Sequence, residues 1–154
     1  MPEFRTTRRV AHSPEKMFDL VADVERYPEF VPFCERLTVR RRQREGGREI
    51  AVADMTIGYK LVRETFTSKV TFDRQALEIQ ADYLDGPFRS MENRWTFRPL
   101  PDGGSEIRFL IAYEFRSRTL AILMGALFDR AFRMFVHAFE MRADKLFGSG
   151  DSSD

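Results

Sequence analysis

The chain has 154 residues and a net charge of +1 from 25 basic and 24 acidic side chains, with 43% hydrophobic and 32% charged residues. That describes one globular domain with no strong field to draw it onto DNA, and excludes a disordered chain. A single cysteine, Cys34, excludes a disulfide framework and a multi-cysteine zinc site and fits a reducing compartment, while no apolar run reaches the ~18 residues of a membrane span and no apolar leader follows Glu3 and Arg5.

Residues 4–10 read as a strand. Ser13 and Pro14 then open a helix, with Ser13 as N-cap and Pro14 at the first helical position. Lys16 stands where a capping box would have Glu. Met17, Phe18, Leu20, Val21 and Val24 give this helix its apolar face. Pro28 keeps Tyr27 out of helical backbone and stops it. A short helix or turn over residues 29–33 is broken again at Pro32. Strands follow over 39–44, 50–57, 61–72, 77–83, 92–99 and 107–115. The first two join at a Glu45-Gly46-Gly47 hairpin. Val62, Phe66, Val70 and Phe72 share one face, as do Trp95 and Phe97. Ile107, Phe109, Ile111, Tyr113 and Phe115 form a period-2 stripe. Turns at Asp85-Gly86-Pro87 and Pro101-Asp102-Gly103-Gly104 are short, which predicts antiparallel pairing of sequential strands.

Residues 119–147 read as one long helix, about 44 Å at 1.5 Å per residue, stopped by Gly148. Residues 149–154 form a polar tail, expected to be disordered. Spacing at 100° puts Asp129, Arg130, Arg133, His137, Glu140 and Asp144 on one arc. Leu120, Met124, Leu127, Phe128, Ala131, Phe132, Phe135, Ala138, Phe139 and Leu146 lie opposite, and Leu123, Met134 and Met141 extend one flank. The apolar arc is then roughly 180° wide, against ~100° for an ordinary surface helix. Arg142 and Lys145 fall on the apolar side near the end. Such a helix is cradled by a curved sheet, lines a cavity, or both. The chain's 15 Phe, 4 Tyr and 1 Trp supply walls for either.

No catalytic or metal constellation is legible, and neither a metal nor a cofactor is expected. His12 and His137 have no base or ligand partner at a useful spacing and are read as solvated. Cys34 is read as a small buried hydrophobe, with a nucleophile as the alternative. Asp54 and Glu64 lie mid-strand. They pair with Arg63, Arg89, Arg94 or Arg108 across strands, or else one of them serves as a buried acid or base. The run Arg40-Arg41-Arg42-Gln43-Arg44 is either a charged edge strand or a contact for RNA or anionic lipid.

Several ordered blocks carry a family resemblance. Tyr27-Pro28-Glu29-Phe30-Val31-Pro32-Phe33-Cys34 resembles a Y-P-x-F-V-P-W-C segment. Phe66-Thr67-Ser68-Lys69-Val70 resembles F-T-S-R-V. Gly86-Pro87-Phe88 with Asn93-Arg94-Trp95-Thr96-Phe97 resembles G-P-F followed by N-x-W-x-F. Residues 113–117 and 138–143 complete the pattern. These blocks resemble the coenzyme Q-binding branch of the START-like (SRPBCC) superfamily, also called polyketide cyclase/dehydrase-like. Phe33 departs from it, standing where the family has Trp; the site stays apolar but loses an indole N–H.

The resemblance implies an α+β helix-grip fold over residues 1–148: a curved sheet of six to seven strands around the long helix, with two short helices after the first strand. It implies a non-enzymatic carrier of ubiquinone that supports respiration, located in the cytoplasm or peripherally at the inner membrane. Bacterial relatives are toxins that bind the large ribosomal subunit and block subunit association, so a ribosome partner is the alternative, and a cyclase/dehydratase enzyme is a third. Alternation and the family blocks together give an expected wall of Phe30, Val31, Pro32, Phe33, Phe88, Trp95, Phe97, Phe109, Tyr113, Met124, Phe128 and Phe135. The loops at residues 27–33 and 86–88 are the expected mouth, or else they plug the end of the core.

Overall fold

Ser13 caps the first helix as its position predicts. Its side chain accepts the Lys16 backbone N–H at 3.2 Å, and Pro14 begins α1, Pro14–Ala22. The computed structural model describes residues 3–59 and 61–148, so the expected tail lies outside the described residues. α1 ends before Val24, because Asp23 leaves helical geometry at φ −82°, ψ 65°. Val24 instead starts a 3-10 segment, Val24–Glu29, that contains Pro28. The Tyr27 hydroxyl donates to the Val21 carbonyl at 2.5 Å and ties this segment back onto α1.

Seven strands form one sheet: β1 Glu3–Val10, β2 Cys34–Glu45, β3 Arg48–Tyr59, β4 Val62–Asp73, β5 Glu78–Asp85, β6 Phe88–Pro99 and β7 Ser105–Phe115. Their order is β1-β7-β6-β5-β4-β3-β2, antiparallel throughout. β2 and β6 start earlier than their apolar patterns suggest. The ladder carries them onward, pairing Cys34 with Ile57 and Phe88 with Phe115. Register shifts at Cys34/Arg36, Val39/Arg41, Thr67/Ser68 and Phe88/Ser90 are bulges, which bend the strands they interrupt.

α2, Arg118–Phe147, begins at Ser117, whose side chain accepts the Leu120 N–H at 3.1 Å. It ends at Gly148, where φ is 89°. The helix packs chiefly on β7, β1 and α1, giving the helix-grip arrangement. Its buried stripe is Met124, Phe128, Ala131, Phe132, Val136, Phe139 and Ala143. The expected 180° arc is corrected here. Leu123, Met134, Met141 and Leu146 are all exposed, because a single layer lies under α2 and no described residue covers its back.

Gly125 sits inside α2, and a Cβ added there meets no atom within 4 Å. Gly125→Ala is therefore expected to stabilise the protein by about 0.5–1 kcal/mol through backbone entropy alone. Thermal unfolding should show a Tm about 2–4 °C higher; an unchanged or lower Tm would mean the glycine is needed where it stands.

Of the two histidines, His137 is exposed as expected, but His12 is not solvated. It is 7% exposed, its Nε2 lies 2.8 Å from Asp144 Oδ1, and its ring packs against Phe147. Its carbonyl accepts the hydroxyl of the fully buried Ser105 at 2.8 Å. The pairing joins residues 132 positions apart, which no local spacing can reveal.

Candidate ligand cavity

The inward face of the sheet carries small side chains where large ones would fill the space. Ala53 on β3 and Ala81 on β5 both line the inward side of the sheet, and their neighbours in register include Ser68, Val70 and Asn93. α2 rests on the opposite half of the sheet. A cavity of about 120 Å³ remains between them. Its lining comes from every layer: Val24, Tyr27 and Pro32; Leu37; Ala53, Met55 and Ile57; Phe66, Ser68 and Val70; Ile79 and Ala81; Phe88, Met91, Asn93 and Trp95; Phe109 and Ile111; Phe128, Ala131, Phe132 and Phe135.

The expected wall divides. Pro32, Phe88, Trp95, Phe109, Phe128 and Phe135 line the cavity, and Phe30, Val31, Phe33, Phe97, Tyr113 and Met124 do not. Phe97 lies behind Trp95, stacked on it with centroids 6.1 Å apart. Tyr113 backs Phe88 and Phe132. Met124 and Val31 are buried outside the cavity. Phe33 adopts φ 66°, a left-handed backbone unusual for a side chain of this size, and turns its ring onto Tyr59. The Gly58 N–H fixes that turn by donating to the Phe33 carbonyl at 2.9 Å. Ala53, Met55, Ala81, Ser68 and Asn93 line the cavity without having been expected there, although Ser68 and Asn93 stand in the family blocks. The alternation of small residues on an inward strand face was the available signal.

The loop at residues 27–33 is pinned to the end of α2 rather than exposed. Phe30 and Tyr27 both pack edge-on against Phe139, with centroids 5.0 and 5.3 Å away. Arg142 Nη2 donates to Glu29 Oε1 at 2.8 Å, and its guanidinium lies 4.9 Å from the Phe30 ring centre. This explains an arginine on the apolar side of α2: its charge is used to latch the loop. Hydrogen bonds from Arg26 and then Arg142 hold the Glu29 carboxyl below the usual carboxylate range, outweighing a small opposing effect of burial. The folded-state pKa is depressed, so the latch is complete above the ordinary Glu pKa of about 4.3 and is lost as pH falls below it. Amide exchange in residues 24–33 is expected to accelerate, relative to its intrinsic rate, only below about pH 4. Acceleration already at pH 6 would overturn the assignment.

No cavity-lining residue carries a carboxylate, imidazole or thiol. Asp54 faces away from the cavity and pairs with Arg40 at 2.7 Å, a partner not anticipated for it, while Thr67 donates to its other oxygen. Burial works against its charge, but those hydrogen bonds and the Arg40 charge outweigh it and keep the carboxyl below its usual range. Glu64, half-buried, is also absent from the lining. Cys34 is buried, and burial pushes its thiol up to about 11 against the weaker opposing hydrogen bond to the Arg36 carbonyl, as befits a packed hydrophobe. Among the described residues no group of His, Cys, Asp and Glu could hold a metal.

The profile of the polyketide cyclase/dehydrase and lipid transport family matches residues 10–140. The chain belongs to this family. It is 30% identical over 148 residues to the ribosome association toxin RatA of Vibrio cholerae, covering 96% of this chain and 99% of that protein. The mitochondrial coenzyme Q-binding protein COQ10 of Dictyostelium discoideum is 26% identical over 148 residues, covering 95% of this chain and 71% of the relative. The solution structure of the 18 kDa protein CC1736 from Caulobacter crescentus superimposes with a TM-score of 0.79 at 32% identity, covering 97% of this chain and all of that one. The Zhui aromatase/cyclase shares the fold with the same TM-score at 16% identity.

Proposed function

We propose that the chain binds an isoprenoid quinone in this cavity and carries it without chemical change. The observation that supports this reading is an apolar cavity with no carboxylate, imidazole or thiol on its walls. Each methylene-sized group a polyprenyl ligand buries is worth about 0.8 kcal/mol. An apolar cavity of about 150 Å³ accepts one benzene ring, so 120 Å³ is somewhat smaller than a one-ring site and takes a ring only with a small outward shift of its walls. A longer tail leaves between α2 and strands β2–β4, where Pro32, Leu37, Met55 and Phe66 are half-buried. Transfer to a membrane surface is supported by Leu61, Leu84, Ile122 and Leu123. All four are exposed at the end of the fold where β3–β4, β5–β6 and β7–α2 turn. Among the described residues no helix is long and apolar enough to cross a membrane.

The test is to purify the protein from a quinone-producing host, extract it with organic solvent and identify the lipid by mass spectrometry. Co-purified quinone is the expected result; a well-folded sample without it, and without uptake of decylubiquinone, overturns the reading.

A second reading has its own observation. β2 is a sheet edge, and along it Arg41 and Arg44 are exposed and form no ion pair among the described residues. Arg40 and Arg42 are partly neutralised by Asp54, Glu25 and Glu49. Two free arginines on an edge suit phosphate contacts, as a ribosome-binding protein requires. Sedimentation with large ribosomal subunits, abolished by Arg41→Glu with Arg44→Glu, would favour it.

A further inference from the structure

Four side chains of the cavity wall carry a nitrogen or oxygen, Tyr27, Ser68, Asn93 and Trp95, and two of them are already engaged. The Tyr27 hydroxyl donates to the Val21 carbonyl, and Asn93 Nδ2 donates to the Leu110 carbonyl at 2.9 Å. Ser68 is different. It is 6% exposed, it lines the cavity, and its Oγ has no hydrogen-bond partner in the protein. Its neighbour Thr67, on the other face of the strand, is fully served by Asp54. In register Ser68 lies opposite Ala53, which also lines the cavity.

A buried hydroxyl without a partner weakens the empty protein, and alanine or valine would serve the packing better. Such groups are rare in native proteins and call for an explanation. We propose that Ser68 is the hydrogen-bonding anchor for a carbonyl oxygen on the ring of the cavity's guest, an inference that rests on the cavity being a ligand site. The hydroxyl donates, and the ring oxygen accepts. The guest is then an oxygenated ring with an apolar tail rather than a plain hydrocarbon. Its ring is held inside, at β4, and its tail points outward. Leaving the hydroxyl unpaired in the empty state lets the correct ring gain a bond that a hydrocarbon cannot make.

Acetophenone and ethylbenzene test this, since they match in shape and differ by a carbonyl oxygen. Both are one-ring compounds and can be titrated into wild-type protein and Ser68→Ala by heteronuclear NMR. The variant is expected to lose about tenfold in acetophenone affinity and to change by less than twofold for ethylbenzene. Its empty form should melt no lower than wild type, the opposite of what a structural hydroxyl would give. Unchanged acetophenone affinity, an equal loss for both compounds, failure of both to bind wild type, or a lower Tm of the empty variant would each overturn the proposal. Decylubiquinone is titrated into wild type in parallel. If it fails to bind while the acetophenone response to Ser68 persists, the quinone reading falls and the anchor stands.

Discussion

Ala81→Leu is expected to remove ligand binding while leaving the fold in place. Ala81 lies on β5 between Val70 and Asn93, and its methyl group forms part of the cavity wall. An isobutyl group there projects into a space of only about 120 Å³. Because the added atoms enter space that is already vacant, stability should change by less than about 1.5 kcal/mol in either direction. Decylubiquinone affinity should fall at least tenfold. The sole tryptophan, Trp95, is itself part of the wall and gives a convenient readout, since a quinone beside it quenches its fluorescence. A folded Ala81→Leu protein that binds with wild-type affinity would place the ligand elsewhere.

Trp95→Ala is expected to have the opposite character. Trp95 is 2% exposed and touches Phe97, Phe109, Phe135 and Phe139, so it joins the sheet to α2 through four rings. Truncating a buried aromatic costs about 3–5 kcal/mol, part of it for the space left behind. For a domain of this length that corresponds to a Tm lower by roughly 6–20 °C. Because the new space adjoins the existing cavity, a small apolar guest such as benzene should recover part of the loss in a concentration-dependent way. A Tm within 2 °C of wild type would show that the ring is not the keystone of the sheet-to-helix contact.

The two substitutions act on the same wall from neighbouring strands, and the sequence made only one of them visible. Trp95 stands out through its size, its alternation with Phe97 and its place in a family block. Ala81 attracts no notice as a single residue, because a small side chain on a strand is consistent with burial, exposure or crowding. The aromatics of α2 were legible for the same reason as Trp95. Phe128 and Phe135 recur at a helical spacing, and a strong apolar period survives in any tertiary setting. Phe30 and Phe33 share a block with Tyr27 and Pro32, yet of these four only Tyr27 and Pro32 reach the cavity. The rings of Phe30 and Phe33 were diverted by Phe139 and Tyr59, contacts made by distant strands and helices.

Arg142 and His12 teach the same lesson with charge. A helical wheel leaves Arg142 as an unexplained cation on an apolar face. The fold supplies Glu29 and Phe30 from a loop more than a hundred residues away. His12 finds Asp144 and Phe147 at the far end of the chain.

By itself, then, the sequence determined the elements and their order: a capped helix after the first strand, antiparallel strands joined by short turns, and one long helix closed by a glycine. Those follow from local chemistry, from capping, backbone restriction at proline and the periods of strand and helix. Only the tertiary structure decided which apolar side chains meet one another and which border empty space. Packing depends on the curvature of the sheet and on where α2 comes to rest, and both are set by contacts between residues far apart in the chain. The unpaired hydroxyl of Ser68 could not have been read earlier, because lacking a partner is a property of its surroundings and not of the residue.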